Sequence, residues 1–230
     1  MRPAIWAVIP AAGRGTRFGG DVPKQYLEVA GQPVIAHALD AVLADPRVCG
    51  AVVALSPDDS LWPGWTQRSG KPVVRCVGGA ERAHSVLAGL RALPADVGDD
   101  ALVLVHDAAR PNLHGGDLER LIDAALANID GAILAAPVRD TLKRADTDAR
   151  IDRTEPRERL WRAMTPQAFR KGALMHALEA ALAAGVPVTD EAMAIELIGI
   201  RPHLVEGRED NLKVTTPADL ALVEFLLARR

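Results

Sequence analysis

The chain has little cysteine, little net charge and no long apolar run, and each shortage removes a class of function. Two cysteines occur in 230 residues. Cys49 and Cys76 lie in separate apolar segments with no CxxC or Cys/His spacing, so neither a zinc site nor a disulfide framework is expected, and both are read as buried free thiols of a reducing compartment. A formal net charge of −3 and a pI near 6.1 leave no global basic field of the kind that nucleic-acid or acidic-membrane binders carry. Any polyanion must therefore be held by local clusters. No stretch approaches the roughly 20 unbroken apolar residues of a membrane span. The N-terminal run AIWAVIPAAG is short, is broken by Pro10 and Gly13, and reads as a strand rather than a signal peptide, so a cytoplasmic location is expected. No internal repeat, linker or low-complexity segment is visible.

What is present has the balance of an ordinary globular protein, 49% hydrophobic and 25% charged, and one domain over 1–230 is the expectation. Apolar runs alternate with segments of helical period: AIWAVIP then PVIAHALDAVLA, PVVRCVGG then ERAHSVLAGLRAL, ALVLVHDAA then GGDLERLIDAALANI. That alternation predicts an α/β fold whose sheet is parallel and covered on both faces, with the continuously apolar AVVAL and ALVLV at its centre. After Ile133 the rhythm changes. The charged, helix-poor stretch through 137–160 predicts two extended arms and a turn that project from the domain or embrace a second subunit. Helical period returns in FRKGALMHALEAALAAG and DEAMAIELIG, RPHLVEG reads as a strand, and PADLALVEFLLARR closes the chain as a helix with Pro217 in its first turn. Met175, Met193, Trp62 and Trp65 are read as packing residues.

The strongest local signal is Pro10-Ala11-Ala12-Gly13-Arg14-Gly15-Thr16-Arg17 at the end of the first strand, followed by Pro23-Lys24-Gln25. Small residues let backbone N–H groups approach phosphate oxygens, and ligands of open α/β sheets gather at the carboxyl ends of strands. Phe18 stands where a dinucleotide fingerprint needs Gly or Ala, and no Gly-Lys-Ser/Thr follows as in a Walker loop. Arg14, Arg17 and Lys24 distinguish this loop from a structural turn. Two phosphate charges about 4 Å apart repel by about 4 kcal/mol at an effective dielectric of about 20, so joining a triphosphate to a phosphate nucleophile requires cations between them. Arg17 and Lys24 are the candidates for neutralising charge on the α-phosphate.

In Val105-His106-Asp107-Ala108-Ala109-Arg110-Pro111, the Asp at a central strand end can reach the same crevice, and Mg²⁺ is usually held by one or two carboxylates plus substrate phosphates. Asp107 is the primary metal candidate and Asp210 a second. His106 reads as a structural hydrogen-bonding residue, since a phosphate nucleophile is already ionised. Gly78-Gly79-x-x-Arg82-x-x-Ser85 ends another strand, where backbone groups and the Ser85 hydroxyl can meet a base edge.

Taken together, PAAGxGxR, PKQY, GGxxRxxSV, HDAAR, APVRDT, TPQ, TDEA and EGRxDNxKVT resemble the methylerythritol phosphate cytidylyltransferase family of the non-mevalonate isoprenoid pathway, from about Ile5 to the end of the chain. The resemblance implies a Rossmann-like, mixed but mostly parallel sheet with helices on both faces and a projecting β-arm, working as a homodimer through that arm. It implies transfer from CTP to 2-C-methyl-D-erythritol 4-phosphate, with Mg²⁺ or another divalent cation. By the same resemblance Arg17 and Lys24 stabilise the transition state. Pro10, Ala11, Ala12, Gly13 and Gly15 cradle the triphosphate, Gly79 and Ser85 recognise cytosine, and Asp107 and Ala108 complete the nucleotide site. Arg110, Thr141, Arg157, Thr189 and Lys213 grip the sugar phosphate, with arm residues able to come from a partner subunit. Ala80 stands where an acidic residue often follows the Gly pair, which leaves backbone contacts to the base untouched. Nucleic acid and membranes are not expected partners. A cytidylyltransferase for another polyol phosphate, such as ribitol phosphate, and a non-catalytic nucleotide-binding module are the competing readings.

Overall fold

The first strand decides the layering. β1 (Ile5–Pro10) sends Ile5, Ala7 and Ile9 to one face and Trp6 and Val8 to the other, so the sheet must be covered twice. The computed structural model describes residues 3–13 and 22–229. After β1 come β2 (Glu28–Val29), β3 (Gln32–Pro33), α1 (Val34–Leu43), β4 (Val48–Leu55), β5 (Gln67–Arg68), β6 (Lys71–Val77), α2 (Arg82–Arg91), β7 (Leu102–Val105), α3 (Gly115–Ala127) and β8 (Ala132–Pro137). The chain continues through β9 (Leu142–Ala145), β10 (Ile151–Glu155), β11 (Trp161–Arg170), α4 (Lys171–Ala183), α5 (Glu191–Leu197), β12 (His203–Glu206) and α6 (Pro217–Leu227).

Eight strands make the main sheet in the order β12-β8-β11-β7-β1-β4-β6-β5. All but β11 and β5 run in one direction. Residues Ile35, Leu39 and Leu43 of α1 and Leu118, Leu121 and Ile122 of α3 pack on the Ile5/Ile9 face, and Val86 and Leu90 of α2, Leu174 and Leu178 of α4 and Ile195 of α5 pack on the Trp6/Val8 face. Leu39 is completely buried, and truncating such a side chain to alanine costs about 2–5 kcal/mol. α6 closes a third cluster with Val29, Val34, Ala109 and Val214. Its Thr216 and Asp219 form a reciprocal capping box on either side of Pro217.

The chain leaves β1 toward β4 and leaves β7 toward β8, so it departs to opposite sides from two neighbouring strands. A crevice opens at the carboxyl ends of strands at such a switch point. The expected mixed α/β sheet with helices on both faces is therefore present, and β4 and β7 flank β1 at its centre. The rhythm of runs alone missed β11. It is a long antiparallel strand wedged between β7 and β8, and its sequence WRAMTPQAFR lacks the continuous apolar character of its neighbours because its first three residues are exposed.

Between β8 and β11, β9 and β10 pair with each other as an antiparallel hairpin, and nearly all of their residues are exposed. The cysteines correct another expectation. Cys49 is exposed at the start of β4 and Cys76 is only half-buried. Cys76 lies on a part of β6 beyond the two residues that β5 covers. Trp62 and Trp65 pack as expected, edge to face at 5.1 Å and against the core.

Candidate active site

Three loop ends converge where β1, β6 and β7 stop. The loop after β1 is drawn onto β4 by the Ala11 N–H bond to the Ala54 carbonyl, and the loop after β6 by the Gly78 N–H bond to the Leu55 carbonyl. Gly78 permits their contact, since a Cβ there would lie 2.7 Å from Ala12 Cβ and 2.9 Å from Ser85 Oγ. Ser85 is buried, and its hydroxyl accepts the Gly79 N–H at 3.1 Å while donating to the carbonyl of Glu81 or Gly79. The hydroxyl thus fixes the shape of the Gly79 loop. Gln25, also buried, donates to the Ala11 carbonyl at 2.8 Å and to the Gly13 carbonyl at 3.3 Å. It ties the glycine loop to the 3-10 turn that begins with Lys24.

These elements enclose a cleft lined by Pro10, Ala11, Ala12, Gly13, Lys24, Gly79, Ser85, Asp107 and Ala108, with Arg82 and Lys213 on its wall. All the nucleotide-side residues expected from the sequence and described here are therefore brought together. Gly15 and Arg17 lie outside the described residues. A second cavity adjoins the first and shares Arg82, Asp107 and Lys213 with it, adding Arg110, Thr165, Thr189 and Asp190.

Asp107 is the hinge of the arrangement. Its carboxylate meets Lys213 Nζ at 2.9 Å, Arg82 Nη2 at 3.1 Å and Arg110 Nε at 3.4 Å. Burial opposes ionisation of this group, but the charges of Arg82, Lys213 and Arg110 outweigh it and hold the carboxyl far below the usual range. It is a carboxylate at every physiological pH.

His106 is wholly buried and its ring is fully engaged. The Asp107 N–H donates to Thr165 Oγ1 at 3.0 Å, the Thr165 hydroxyl lies 3.0 Å from His106 Nδ1, and His106 Nε2 lies 3.0 Å from the Arg110 carbonyl. A carbonyl can only accept, so Nε2 carries the proton and Nδ1 accepts from Thr165. Burial lowers the imidazole to about 4, so it is neutral and structural, as the sequence suggested.

Lys213 reaches the cleft because the segment after β12 is clamped across the end of β7. The Val214 N–H donates to the Ala109 carbonyl, Arg110 Nη1 to the Asn211 carbonyl at 2.6 Å, and Asn211 Nδ2 to the Thr165 carbonyl at 2.8 Å. Asp210 belongs to that clamp and not to the metal site expected for it. Its carbonyl accepts from Asn112, its carboxylate is bound by Arg208 with Nη2–Oδ2 at 2.7 Å, and it lines a separate depression with His114. Among the described residues no three of His, Cys, Asp and Glu gather to hold a metal ion by themselves. Asp107, facing the cleft, suits an ion whose other ligands are phosphate oxygens and water.

Thr189 lines the second cavity just ahead of α5, which is anchored through Gln167 of β11. Gln167 donates to Asp190 Oδ2 at 2.9 Å and accepts the Ala192 N–H at 2.8 Å. Thr141 and Arg157 do not join either cavity within one chain, since both are exposed at the base of the hairpin. Sequence reasoning gave no role to three buried or half-buried residues that shape the site: Gln25, Arg82 and Glu191. Each stood in a recognised motif (PKQY, GGxxRxxSV, TDEA), but only the fold shows what each one touches.

Comparison with known proteins gives a consistent answer. The profile of the family described as IspD, 2-C-methyl-D-erythritol 4-phosphate cytidylyltransferase, matches residues 5–229. A protein of that name from Xanthomonas campestris pv. campestris (strain 8004) is 66% identical over 230 residues, which is 100% of this chain and 87% of the relative. One from Stenotrophomonas maltophilia (strain R551-3) is 64% identical over 100% of this chain and 99% of its own length. A crystal structure of 4-diphosphocytidyl-2C-methyl-D-erythritol synthase superposes with a TM-score of 0.85 at 38% identity, covering 99% of this chain and 100% of that one.

Proposed function

We propose that this chain, which belongs to the 2-C-methyl-D-erythritol 4-phosphate cytidylyltransferase family, joins CTP to 2-C-methyl-D-erythritol 4-phosphate, giving 4-diphosphocytidyl-2-C-methyl-D-erythritol and pyrophosphate. The observation that carries this reading from the geometry is the seam of Asp107, Arg82 and Lys213 shared by the two cavities. Two ligands seated side by side there would face each other across a strip of fixed cations, which is what bringing two phosphates together requires.

An oxygen of the acceptor phosphate attacks the α-phosphorus of CTP in line, and a new P–O bond forms. The bond from the α-phosphorus to the oxygen bridging it to the β-phosphate breaks, and pyrophosphate leaves with that electron pair. The attacking oxygen is already ionised at neutral pH, so no base is needed. His106, neutral and engaged at both nitrogens, is not asked to be one. Lys24 and, from the sequence, Arg17 neutralise the charge that builds on the α-phosphate. Gly79 and the Ser85-shaped loop meet the cytosine edge, while Lys213, Arg110 and Thr189 hold the acceptor. Asp107 would hold Mg²⁺ or a similar divalent cation, which when bound would neutralise further charge on the phosphates.

The working form on this reading is a cytoplasmic homodimer in which the hairpin of one subunit lends Thr141 and Arg157 to its partner's site. Their exposure, together with the exposed Ile151, Leu160 and Trp161 of the same region, supports that role. The test is pyrophosphate release by the purified protein with CTP and Mg²⁺, offered 2-C-methyl-D-erythritol 4-phosphate, ribitol phosphate or no acceptor. Release with the first alone is expected. Release with ribitol phosphate alone would change the acceptor, and tight CTP binding without release from either would point to a non-catalytic module.

A further inference from the structure

One residue of the recognised motifs, Glu191, is left without a task by the reaction as described, and it is bonded to Arg82 of the seam. Arg82 opens α2, and Glu191 opens α5 two residues after Thr189. The Glu191 side chain is 1% exposed, and its Oε1 accepts from Arg82 Nη1. Its Oε2 is buried with no hydrogen-bond partner among the described residues. The other side of the same guanidinium reaches Asp107 Oδ1, from Nε at 3.2 Å and from Nη2 at 3.1 Å. Arg82 is thus a planar fork held at both ends by carboxylates, standing on the boundary that the two cavities share.

We propose that Glu191 is a positioning residue for phosphoryl transfer: it fixes the Arg82 guanidinium, which in turn fixes the Asp107 carboxylate and the Lys213 ammonium between the two ligands. The inference rests on the reaction proposed above. A stability role alone explains the pair poorly. A buried ion pair gains little over well-packed apolar residues of the same volume, and this one leaves a carboxylate oxygen without a partner among the described residues. The arrangement has a clearer rationale in orientation. Without Glu191, the fork keeps a single carboxylate contact and can rotate away from the seam. Asp107 would then be left to Lys213 and Arg110, which approach its other oxygen, Oδ2. Glu191 also couples the seam to the acceptor cavity, because its helix begins at the cap that follows Thr189.

The experiment compares the full-length wild type with Glu191→Gln, Glu191→Asp, Arg82→Met and the double variants Arg82→Met/Glu191→Gln and Arg82→Met/Glu191→Leu. Each is assayed for pyrophosphate release at saturating CTP and 2-C-methyl-D-erythritol 4-phosphate, for the KM of each substrate, and for its thermal midpoint. Misplacement of a positioning group by about 1 Å costs on the order of 100-fold, so kcat of Glu191→Gln is expected to fall by about that factor. The KM for CTP should move by no more than about threefold, because the loss lies in the transition state rather than in nucleotide binding.

Glu191→Asp, which keeps the charge, should recover part of the rate. In the Arg82→Met background the Glu191→Gln change should cost nothing more, since its effect passes through Arg82. Arg82→Met/Glu191→Leu replaces the pair with apolar volume. It should keep a near-native midpoint while remaining slow, which separates orientation from folding even if Glu191→Gln alone is too unstable to assay. A Glu191→Gln enzyme that turns over like wild type, or equal added losses in both backgrounds, overturns the proposal while leaving the reaction intact. A wild type that releases no pyrophosphate overturns the reaction itself, and the positioning role with it.

Discussion

Lys213 Nζ lies 2.9 Å from the carboxylate of Asp107, although the first residue follows β12 and the second follows β7. Together with Arg82 and Arg110 the pair makes a site in which one negative charge is surrounded by three positive ones. Asp107→Asn removes that negative charge with almost no change in shape. Binding of CTP or pyrophosphate measured without divalent cation should therefore tighten, because the remaining cations are no longer partly neutralised. Turnover with Mg²⁺ should nevertheless fall by about 100-fold, as the carboxylate proposed to hold the metal is gone. Calorimetric titration and steady-state kinetics check the two halves. If the variant turns over normally, Asp107 merely holds the cations in place.

A second expectation concerns the contact between loops. At Gly78 a methyl group would sit 2.7 Å from Ala12 Cβ and 2.9 Å from Ser85 Oγ, and neither neighbour has a long flexible side chain with which to yield. Gly78→Ala should push the Gly79 loop away from the phosphate loop, raising the KM for CTP by about tenfold, a loss of about 1.4 kcal/mol in binding. The KM for the acceptor should stay within about twofold, since the second cavity does not include this loop. A rise in both constants would place the effect on the whole site instead.

These residues show what the sequence could and could not disclose. The loop after β1 and Asp107 were legible as cleft-lining residues because each follows a strand end, and strand ends follow from apolar periodicity; Lys24 was legible only as a basic residue close behind the glycine loop. Asp210 misled for the same reason. It sits after a strand, but the turn that follows β12 uses its carboxylate to hold Arg208 and its carbonyl to accept from Asn112. The Arg82–Glu191 pair spans 109 positions, and no local pattern reports a partner so distant. The antiparallel β11 was hidden by its exposed start and by polar Thr165 and Gln167, whose burial makes sense only once their bonds to His106 and Asp190 are known. Cys49 and Cys76 failed as buried thiols because burial at the ends of strands depends on neighbours that the run itself does not contain.

The buried imidazole makes a prediction about acid. Burial lowers His106 to about 4 from a usual value near 6.5, against the pull of the neighbouring Asp107 carboxylate. The unfolded chain therefore binds a proton at this site that the folded chain refuses between those two values. Stability from the neutral ring is complete above the unfolded value and is lost as pH falls toward the folded one. Between pH 6.5 and 5 this amounts to about 2 kcal/mol. Urea unfolding at several pH values should show wild type losing that much more than His106→Gln over the interval. Glu191, raised by burial against the pull of Arg82, tilts stability the opposite way but does so in both proteins, so the difference isolates the histidine. Parallel pH curves for the two proteins would mean that its ring is not held neutral.

The arm yields the sharpest test of how the site is completed. Thr141 and Arg157 are exposed and line neither cavity of their own chain, whereas Lys24 lines the nucleotide cleft directly. Lys24→Ala should lower kcat far more than it weakens CTP binding, and Arg157→Ala should chiefly raise the KM for the sugar phosphate. Each variant alone is then nearly inactive at low acceptor concentration. Mixed and allowed to exchange subunits, they behave differently according to where the arm acts. In a mixed dimer, the subunit with intact Lys24 receives the intact Arg157 of its neighbour if the arm reaches across, and one complete site is rebuilt. With half of the dimers mixed and one site working in each, roughly a quarter of wild-type activity should return. If each arm serves its own subunit, every site carries one defect or the other and mixing restores nothing. Recovery near that fraction identifies the hairpin as a shared element of two active sites, and its absence confines Arg157 to its own chain.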